Sequence, residues 1–267
     1  MTAPSARIVV ILGRPPSRAS LLPAVLDDLR KAGHEISTHV IGDGPPAAAV
    51  GKGADLVVLR ALDLAALDAL AELEDAGTRF CNTVAATRAA RDKIEATRLL
   101  AAAGVPLPPI VPAANWDEAL AAADGRAVVI KAAAGSRGEG ILHTNDPPAE
   151  PPFPGPYVVE QHVRHDGIDR KLYVAGEQVF GVERSWPPRS LADKLGRRFS
   201  PTAELHRLAL AAGRALGLEL YGTDVLLSPD GPVLVDVNAF PGYKGVPEAP
   251  CQIAAYLDEA ARTRALL

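Results

Sequence analysis

Three oxygen-bearing side chains in the last fifth of the chain have the types and spacing of a metal site. Asp224 lies in one short apolar stretch, and Asp236 and Asn238 lie in the next. The Asp230-Gly231 pair between the stretches predicts a two-residue turn and therefore a β-hairpin that places Asp224 against the other two. Because side chains alternate along a strand, Asp236 and Asn238 would share one face. Two carboxylates and an amide oxygen suit a hard cation, so the hairpin predicts a Mg²⁺ site, with Mn²⁺ as the alternative ion. A surface hairpin with outward polar residues is the other interpretation.

A lysine and a glycine-rich segment farther upstream predict a phosphate site. Residues 128–131 have the pattern of a strand that ends in Lys131, and the segment 135–140 follows. The segment lacks the Gly-Lys-Ser/Thr ending of a Walker A loop and does not open a helix as a dinucleotide fingerprint does. A backbone rich in glycine can approach an anion closely and point amide groups at it. We therefore expect a phosphate-covering loop, with a plain hairpin turn as the alternative; its key residues are Gly135, Ser136, Gly138 and Gly140.

A third set of charged residues lies between these two segments. Residues 157–163 form an apolar strand that leads into polar residues, and the Gly176-Glu177 pair predicts a second hairpin. The inward face of that hairpin would carry Asp169, Lys171 and Arg184. Each of these alone is more often a solvated strand residue. The chain carries, in this order, a lysine, a glycine-rich segment, a strand that leads into acidic and polar residues, a hairpin with cationic side chains and the hairpin of the predicted metal site. This order of features is much harder to obtain by accident than any one of them.

In this order of motifs the chain resembles the ATP-grasp superfamily, and specifically its RimK-like (ribosomal S6 modification-like) ligases. The resemblance covers roughly residues 81–247. The segment 82–108, which contains Lys93, resembles the part of the family that introduces the first ATP lysine, and Lys131 resembles the second. Ala132 stands where the family usually has a proline, and Asp236 where a glutamate is commoner.

The resemblance implies an ATP- and Mg²⁺-dependent enzyme that joins a carboxylate to an amine through an acylphosphate, releasing ADP and phosphate. It implies that Lys93 and Lys131 neutralise ATP phosphates, as compact ammonium groups can. Lys171, where these ligases usually have arginine, and Arg184 would be the catalytic cations, since electrostatic stabilisation can be the largest catalytic contribution. The resemblance further implies that Gly135, Ser136, Gly138 and Gly140 contact the nucleotide, that Glu160, Gln161 and Val163 recognise its adenine, and that Asp169 contacts its ribose. It implies that Asp224, Asp236 and Asn238 bind the metal.

Two other functions stay open. The segments 165–167, 171–174, 184–187 and 236–243 also resemble ATP-grasp inositol phosphate kinases, and Lys171 in place of arginine favours that class. The 135–140 segment is of ligase type, however, and a highly anionic acceptor calls for a denser basic cluster. A nucleotide-binding module without turnover is the third function, and the presence of all the metal ligands and cations argues against it.

Composition and charge limit the class of protein. The chain has 267 residues, 48% of them hydrophobic, and a net charge of -4, so it can bury a core and form two or three small lobes. The negative charge offers no bulk attraction to nucleic acid, and no apolar run approaches the roughly 20 residues of a membrane-spanning helix. The first apolar stretch, 8–12, is too short for a secretory core. Cys81 and Cys251 are too few for a disulfide framework. We expect a cytoplasmic protein with a small-molecule or peptide acceptor, without nucleic-acid or membrane partners; a homo-oligomer stays open.

Alternating strand and helix patterns predict an α/β fold in which a small parallel-sheet lobe precedes two α+β lobes. The lobes would span 1–85, 86–160, which forms the lid, and 161–267, which carries the metal site. His162, His165 and Arg14 are further possible substrate contacts, although each is at least as often a solvated residue. Besides the hairpins, strands are expected at 8–12, 39–41, 55–59, 128–131 and 157–163, and helices at 21–32, 64–76, 88–103, 116–123, 203–216 and 253–265.

Overall fold

The N-terminal part of the chain forms a four-stranded parallel sheet. The computed structural model describes residues 5–134, 140–187, 190, 193 and 195–263. Helix α1 covers one face of the sheet and three short helices cover the other. Coverage of both faces explains why the central strands are continuous apolar runs. The elements are β1 (Arg7–Leu12), α1 (Leu22–Lys31), β2 (Glu35–Val40), α2 (Ala47–Gly51), β3 (Leu56–Arg60), α3 (Leu64–Asp68), α4 (Ala71–Asp75) and β4 (Phe80–Cys81), with the strand order β2-β1-β3-β4.

Two details of this sheet differ from the sequence prediction. Strand β2 begins at Glu35 rather than near His39, because its whole length pairs in parallel register with β1. The predicted helix 64–76 is divided into α3 and α4. The amide of Leu70 bonds the carbonyl of Leu67 at 3.0 Å, a tight i→i−3 turn that ends α3.

The predicted helix 88–103 is also divided, into α5 (Val84–Arg91) and α6 (Lys93–Ala102). Asp92 separates them, because its backbone is extended and its carboxylate accepts hydrogen bonds from two amides in the first turn of α6, at 3.0 and 3.2 Å. Such a cap satisfies amides that have no partner inside the helix. The break places Lys93 at the first position of α6.

A second sheet, entirely antiparallel, follows in the chain. Helix α7 packs on one face, where the edge of the Trp116 ring meets Tyr157 at a centroid distance of 5.2 Å. The helix and two of the strands lie where the sequence predicts them, whereas β5 and β7, four residues each, were not predicted. The elements are β5 (Ile110–Ala113), α7 (Trp116–Ala123), β6 (Val128–Ala132), β7 (Ile141–Thr144) and β8 (Tyr157–Gln161), with the strand order β5-β8-β6-β7.

The third sheet has five antiparallel strands and contains both predicted hairpins. Ala175 pairs with Gln178 across the first turn, and Ser228 pairs with Gly231 across the second. Helix α8 has the predicted bounds and is followed by Gly217, which has the left-handed conformation that favours glycine (φ 69°). The elements are β9 (Ile168–Ala175), β10 (Gln178–Ser185), β11 (Arg197–Phe199), α8 (Ala203–Leu216), β12 (Leu220–Ser228), β13 (Gly231–Ala239) and α9 (Ala249–Arg262), with the strand order β11-β10-β9-β12-β13.

Helices on the two faces of the five-stranded sheet connect it to the rest of the chain. One face packs against α5, α6 and α8, which differs from the predicted placement of 88–103 in the lid. The other face packs with α9 against α1 and the parallel sheet in one continuous apolar core. The mixed α/β fold class is thus confirmed, and the lobe boundaries stay a prediction. Among the described residues, no helix is long and apolar enough to cross a membrane.

Candidate functional site

A cleft lies between the second sheet, the four-stranded antiparallel sheet β5-β8-β6-β7 (the central sheet), and the five-stranded sheet. It brings together residues that are far apart in the chain, since Lys131 Nζ of β6 donates a hydrogen bond to the carbonyl of Val235 in β13 at 2.8 Å. The five-stranded sheet carries three further predicted residues beside the cleft, namely Lys171, Arg184 and Asn238. The predicted residues that line the cleft itself are Lys93, Lys131, Glu160, Gln161, Val163, Asp169, Asp224 and Asp236, together with His162 and His165, the two histidines considered as substrate contacts.

A row of three charged residues crosses the five-stranded sheet at this point. Lys171 of β9 pairs in register with Asp224 of β12, which pairs in turn with Asp236 of β13. Lys171 Nζ lies 2.5 Å from Asp224 Oδ2 and 3.2 Å from an oxygen of Asp169. Burial disfavours the charge on Lys171, but Asp224 and Asp169 together outweigh it and raise the pKa of Lys171. This lysine is therefore a permanent cation held beside the predicted metal residues.

The donor set of Asp224, Asp236 and Asn238 fits Mg²⁺. Like charges directly opposite each other on neighbouring strands are destabilising; Lys171 offsets part of this repulsion at Asp224, and a divalent cation beside both carboxylates would offset more of it. Asn238 Nδ2 donates to Asp236 Oδ2 at 2.7 Å, and a turn of the amide about its bond would present oxygen instead. Mg²⁺ takes few protein ligands and completes its shell with water and phosphate. Among the described residues there is no group of three or more His, Cys, Asp or Glu side chains that could hold a metal ion.

Two buried polar atoms beside this row, Asp169 Oδ1 and Arg184 Nε, have no hydrogen-bond partner in the part of the chain that the structure describes. Burial, and then the negative charge of Asp224, raise the pKa of Asp169 to about 6. The two residues pair in register on β9 and β10, and Arg184 Nη2 donates to the hydroxyl of Tyr173 at 3.1 Å. Buried polar atoms normally have partners, so these two atoms mark a place where a polar ligand would be accepted.

The lysine of the central sheet forms a buried ion pair. Lys131 Nζ lies 2.7 Å from Glu160 Oε1 on the neighbouring strand, and both side chains are almost inaccessible. Burial raises the pKa of Glu160, and the opposing effect of Lys131 does not cancel it. Burial also lowers the pKa of Lys93, which Asp236 counteracts and Lys131 reinforces. The two predicted phosphate lysines are thus close enough to influence each other.

The predicted adenine segment follows β8 along the wall of the cleft. The Gln161 amide donates to the carbonyl of Pro109 at 2.9 Å, so this N–H is engaged within the protein. The next amide, that of His162, donates to the carbonyl of Ala127 at 3.0 Å. A nucleotide contact by Gln161 would therefore use its carbonyl or side chain, and the adenine contact of Val163 stays a prediction.

Only one predicted residue of the glycine segment is described. Gly140 has φ 68°, and a Cβ there would lie 2.8 Å from the Cβ of Ala132, so glycine is required. The amide of Ala132 donates to the carbonyl of Gly140 at 2.8 Å, which closes the segment onto β6. Gly135, Ser136 and Gly138 lie outside the described residues.

Several residues that line the cleft were not predicted as site residues. The rings of His143 and Trp186 meet at 5.6 Å, and both residues line the cleft although 46% of Trp186 is exposed. Apolar lining comes from Val129, Ile141 and Leu226. Trp186, two residues after Arg184, was the one signal in the sequence, and β7, which carries His143 and Ile141, was not predicted at all.

Comparison with known proteins decides the family. Residues 191–259 match the family model described as the inositol 1,3,4-trisphosphate 5/6-kinase ATP-grasp domain. A probable alpha-L-glutamate ligase of Xanthomonas oryzae pv. oryzae is 32% identical over 201 residues, covering 69% of this chain and 68% of that protein. The chain belongs to the RimK-like ATP-grasp family. The probable alpha-L-glutamate ligase 2 of Hahella chejuensis is 29% identical over 197 residues, which cover 67% of this ATP-grasp chain and 65%, just under two thirds, of that relative.

Solved structures agree on the fold of this ATP-grasp protein. A RimK domain protein from Sphaerobacter thermophilus has a TM-score of 0.75 at 20% identity, covering 96% of this chain and 99% of that one. The ATP-grasp ligase PsnB, complexed with a minimal precursor, Mg and ADP, has a TM-score of 0.69 at 20% identity and covers 96% of both chains. The resemblance to the ATP-grasp fold that the motifs indicate is confirmed over nearly the whole chain.

Proposed function

We propose that this ATP-grasp protein is an ATP- and Mg²⁺-dependent ligase that joins a carboxylate to an amine. The observation that carries the proposal is the row Lys171–Asp224–Asp236 with Arg184 beside it, at the end of a cleft that holds Lys131. Such an arrangement suits the transfer of a phosphoryl group, for which the protein supplies position and charge compensation. The names of the relatives support a ligase, and glutamate is the first substrate to test.

The reaction begins at the γ-phosphoryl group of ATP. A carboxylate oxygen of the substrate attacks this phosphorus and the bond to ADP breaks, which gives an acylphosphate; the amine then displaces phosphate from the acyl carbon. Lys93 and Lys131 would neutralise the phosphates, and Arg184 with Lys171 would stabilise the charge on the group in transfer. No side chain of the protein needs to become a nucleophile.

The remaining predicted residues have supporting roles in this proposal. Glu160 and the segment from Gln161 to Val163 would hold adenine, and Asp169 would hold the ribose. The glycine segment, through Gly135, Ser136, Gly138 and Gly140, would contact the phosphates. When bound to Asp224, Asp236 and Asn238, Mg²⁺ would neutralise charge on the β- and γ-phosphate oxygens.

A kinase is the second candidate, because the matched family model is that of an inositol phosphate kinase domain and because Lys171 replaces the arginine of the ligases. The two functions differ in where the γ-phosphoryl group ends. In a ligase it leaves as inorganic phosphate that carries one oxygen from the substrate carboxylate. In a kinase it stays on the product.

The deciding experiment follows that oxygen. The protein is incubated with ATP, Mg²⁺ and a set of amino acids labelled with ¹⁸O in their carboxylates, and phosphate and products are analysed by mass spectrometry. A ligase transfers one ¹⁸O to phosphate and forms a dehydrated conjugate, whereas a phosphorylated metabolite without free phosphate supports the kinase. Asp236→Ala should abolish either reaction. Asp230→Ala, in the exposed turn of the same hairpin, is the matched control and should not.

The finer features of partner and place are also proposals. The acceptor is a small molecule or a peptide, consistent with the amino acid in the names of the relatives; PsnB is complexed with a minimal precursor. The proposed location is the cytoplasm, where ATP and Mg²⁺ are supplied together. A homo-oligomer stays a prediction that sedimentation analysis tests.

A further inference from the structure

Arg184, one of the two predicted catalytic cations, is held by neutral groups. Its Nη2 donates to the hydroxyl of Tyr173 at 3.1 Å and to the carbonyl of Lys244 at 3.2 Å. Asp169 is its register partner on β9, but the ion pair of Asp169 is with Lys171, at 3.2 Å. Within the described residues, no carboxylate forms an ion pair with Arg184. Carboxylates are the stronger acceptors for a guanidinium group, so the neutral contacts hold this arginine away from the nearest one.

The contact between Arg184 and Tyr173 fixes the direction of the arginine side chain. Tyr173 pairs in register with Phe180, four residues before Arg184, which is about 13 Å along a strand. Because side chains alternate along a strand, Tyr173, Phe180 and Arg184 share one face of the sheet. The phenol must therefore point towards the cleft, and the arginine must extend back along β10, for the two polar groups to meet.

An aromatic stack fixes the Tyr173 ring. Tyr243 stacks on this ring at a centroid distance of 5.1 Å, and Phe240 meets Tyr243 edge to face at 6.4 Å. A Cβ at Gly222 would lie 2.9 Å from Cδ1 of Tyr173, so the ring also lies directly on the backbone of β12. The guanidinium carbon of Arg60, at the end of β3, lies 5.2 Å from the ring centroid of Phe240. Packing on these sides leaves the Tyr173 hydroxyl as an acceptor in a fixed place.

The segment after β13 supplies both anchors of the arginine. It carries Tyr243, which supports Tyr173, and Lys244, whose carbonyl is the second acceptor. Phe240 (φ 35°) and Tyr243 (φ 45°) are two of the five residues other than glycine with positive φ in the described part of the chain. Such conformations are unfavourable and persist only where the surroundings require them, often beside functional sites. The Tyr243 hydroxyl donates to the carbonyl of Val174 on β9, which ties the segment to the strand of Tyr173.

The anchored guanidinium keeps a donor for a ligand. The two hydrogens of Nη2 are used by the two neutral acceptors, whereas the buried Nε has no partner among the described residues. Buried polar atoms normally have partners. An anionic group in the cleft would therefore meet an unused N–H and a positive charge that no carboxylate of the described residues neutralises by an ion pair.

We propose that Tyr173 is the positioning residue of Arg184: its hydroxyl, together with the Lys244 carbonyl, holds the guanidinium beside the cleft and keeps it from pairing with Asp169. This inference rests on the phosphoryl transfer of the proposed function and adds a residue outside the predicted site. Donors that are already in place stabilise charge without reorganisation during the reaction. An arginine paired with Asp169 would first have to leave that carboxylate.

Calorimetry with ADP, Mg²⁺ and fluoroaluminate tests the proposal without knowledge of the acceptor, because fluoroaluminate stands for the phosphoryl group in transfer. The wild type should bind ADP more tightly when fluoroaluminate is present. Tyr173→Phe keeps the ring and its stack and removes only the hydroxyl. This variant should lose about 10- to 100-fold of the fluoroaluminate-dependent affinity, as expected for a lost hydrogen bond to a charged group, while its affinity for ADP alone stays within about twofold of the wild type.

Double variants separate positioning from packing. In an Arg184→Gln background, Tyr173→Phe should have no further effect on the fluoroaluminate-dependent affinity, because the hydroxyl acts only through the arginine. In an Asp169→Asn background the effect of Tyr173→Phe should be smaller than in the wild type, since no carboxylate remains there to capture the arginine. Tyr256→Phe is the matched control and should change neither affinity; its hydroxyl bonds Glu219 beyond the opposite end of β9.

Four results overturn the proposal. They are equal affinity for ADP with and without fluoroaluminate in the wild type, an equal loss of both affinities in Tyr173→Phe, additive effects of Tyr173→Phe and Arg184→Gln, and an undiminished effect of Tyr173→Phe in the Asp169→Asn background.

The proposed function and this inference fail separately, because fluoroaluminate binding needs no acceptor. If labelled phosphate is not formed but the Tyr173 hydroxyl strengthens fluoroaluminate binding through Arg184, the ligase is wrong and the positioning role stands. If the labelled reaction occurs and Tyr173→Phe binds fluoroaluminate as the wild type does, the ligase stands and the positioning role is wrong.

Discussion

Replacing Lys131 with methionine should cost folding stability as well as nucleotide binding. The Lys131 and Glu160 side chains are only 9% and 8% exposed, and their charged atoms are 2.7 Å apart. The lysine also bonds the carbonyl of Val235 and so joins the central sheet to β13. Lys131→Met would leave the carboxylate buried without a counter-charge, which typically costs about 3–5 kcal/mol.

Urea unfolding measures this loss directly. The free energy of unfolding of Lys131→Met should fall by about 3–5 kcal/mol, and the double variant Lys131→Met/Glu160→Gln should recover most of it because the amide carries no charge. Lys52→Met, at an exposed lysine, is the matched control and should stay within about 0.5 kcal/mol of the wild type. ATP affinity of Lys131→Met should fall by about 1.5–3 kcal/mol in calorimetry.

The pH dependence separates a buried charge from lost packing. Burial raises the pKa of Glu160 even with Lys131 present, and removing the lysine takes away the main opposing influence. A carboxyl whose pKa is higher in the folded than in the unfolded state is least destabilising when both states are protonated, and its cost appears as pH rises through the folded pKa. The loss in Lys131→Met should therefore shrink as pH falls towards the ordinary glutamate pKa of 4.5. A variant as stable as the wild type, or a loss equal at neutral and acidic pH, would refute the reasoning.

Three further predictions concern the site and the strands that carry it. Asp236→Ala should remove turnover while leaving the urea midpoint within about 1 kcal/mol of the wild type, since it removes one of two opposed carboxylates; normal turnover at limiting Mg²⁺ would contradict the metal assignment. The pKa of Asp169 is raised to about 6 from 3.8, so its ionisation should lower wild-type stability progressively between about pH 4 and 7. Asp169→Asn should lack this decline, and parallel stability curves would show that the pKa is not raised. Gly222→Ala should cost about 1–3 kcal/mol because its Cβ would lie 2.9 Å from Cδ1 of Tyr173, whereas Gly242→Ala, with ordinary contacts only, should have a melting temperature near that of the wild type.

Local signals were sufficient for the metal hairpin. The Asp230-Gly231 turn and the period-two alternation around it set the pairing of the two strands, so the opposition of Asp224 and Asp236 follows from a short stretch of sequence. The helices 116–123 and 203–216 were predicted with their observed bounds; in the structure Asn115 caps the start of the first and Gly217 ends the second.

Elements that depend on distant partners were not predicted. Strands β5 and β7 are four residues long and exist because β8 and β6 pair with them. The helix predicted over 88–103 is divided at Asp92, since a side chain that can cap a helix outweighs the continuous helical pattern. No local pattern marks the two strands, whereas the division at Asp92 has a local signal that was missed, since Asp92 followed three residues later by Glu95 is the pattern of a helix N-terminus.

The sequence by itself determined the types and the order of the chemical groups: two lysines predicted to bind phosphate, a glycine segment, two cations predicted to be catalytic and a pair of opposed carboxylates. Only the tertiary structure decided their partners, such as Glu160 for Lys131, Asp224 for Lys171 and the Phe240 ring for Arg60. The physical reason is that turn geometry and alternation act over a few residues, whereas these contacts join residues 29 to 180 positions apart. Such contacts form only when the three sheets pack against shared helices and bury the charges together.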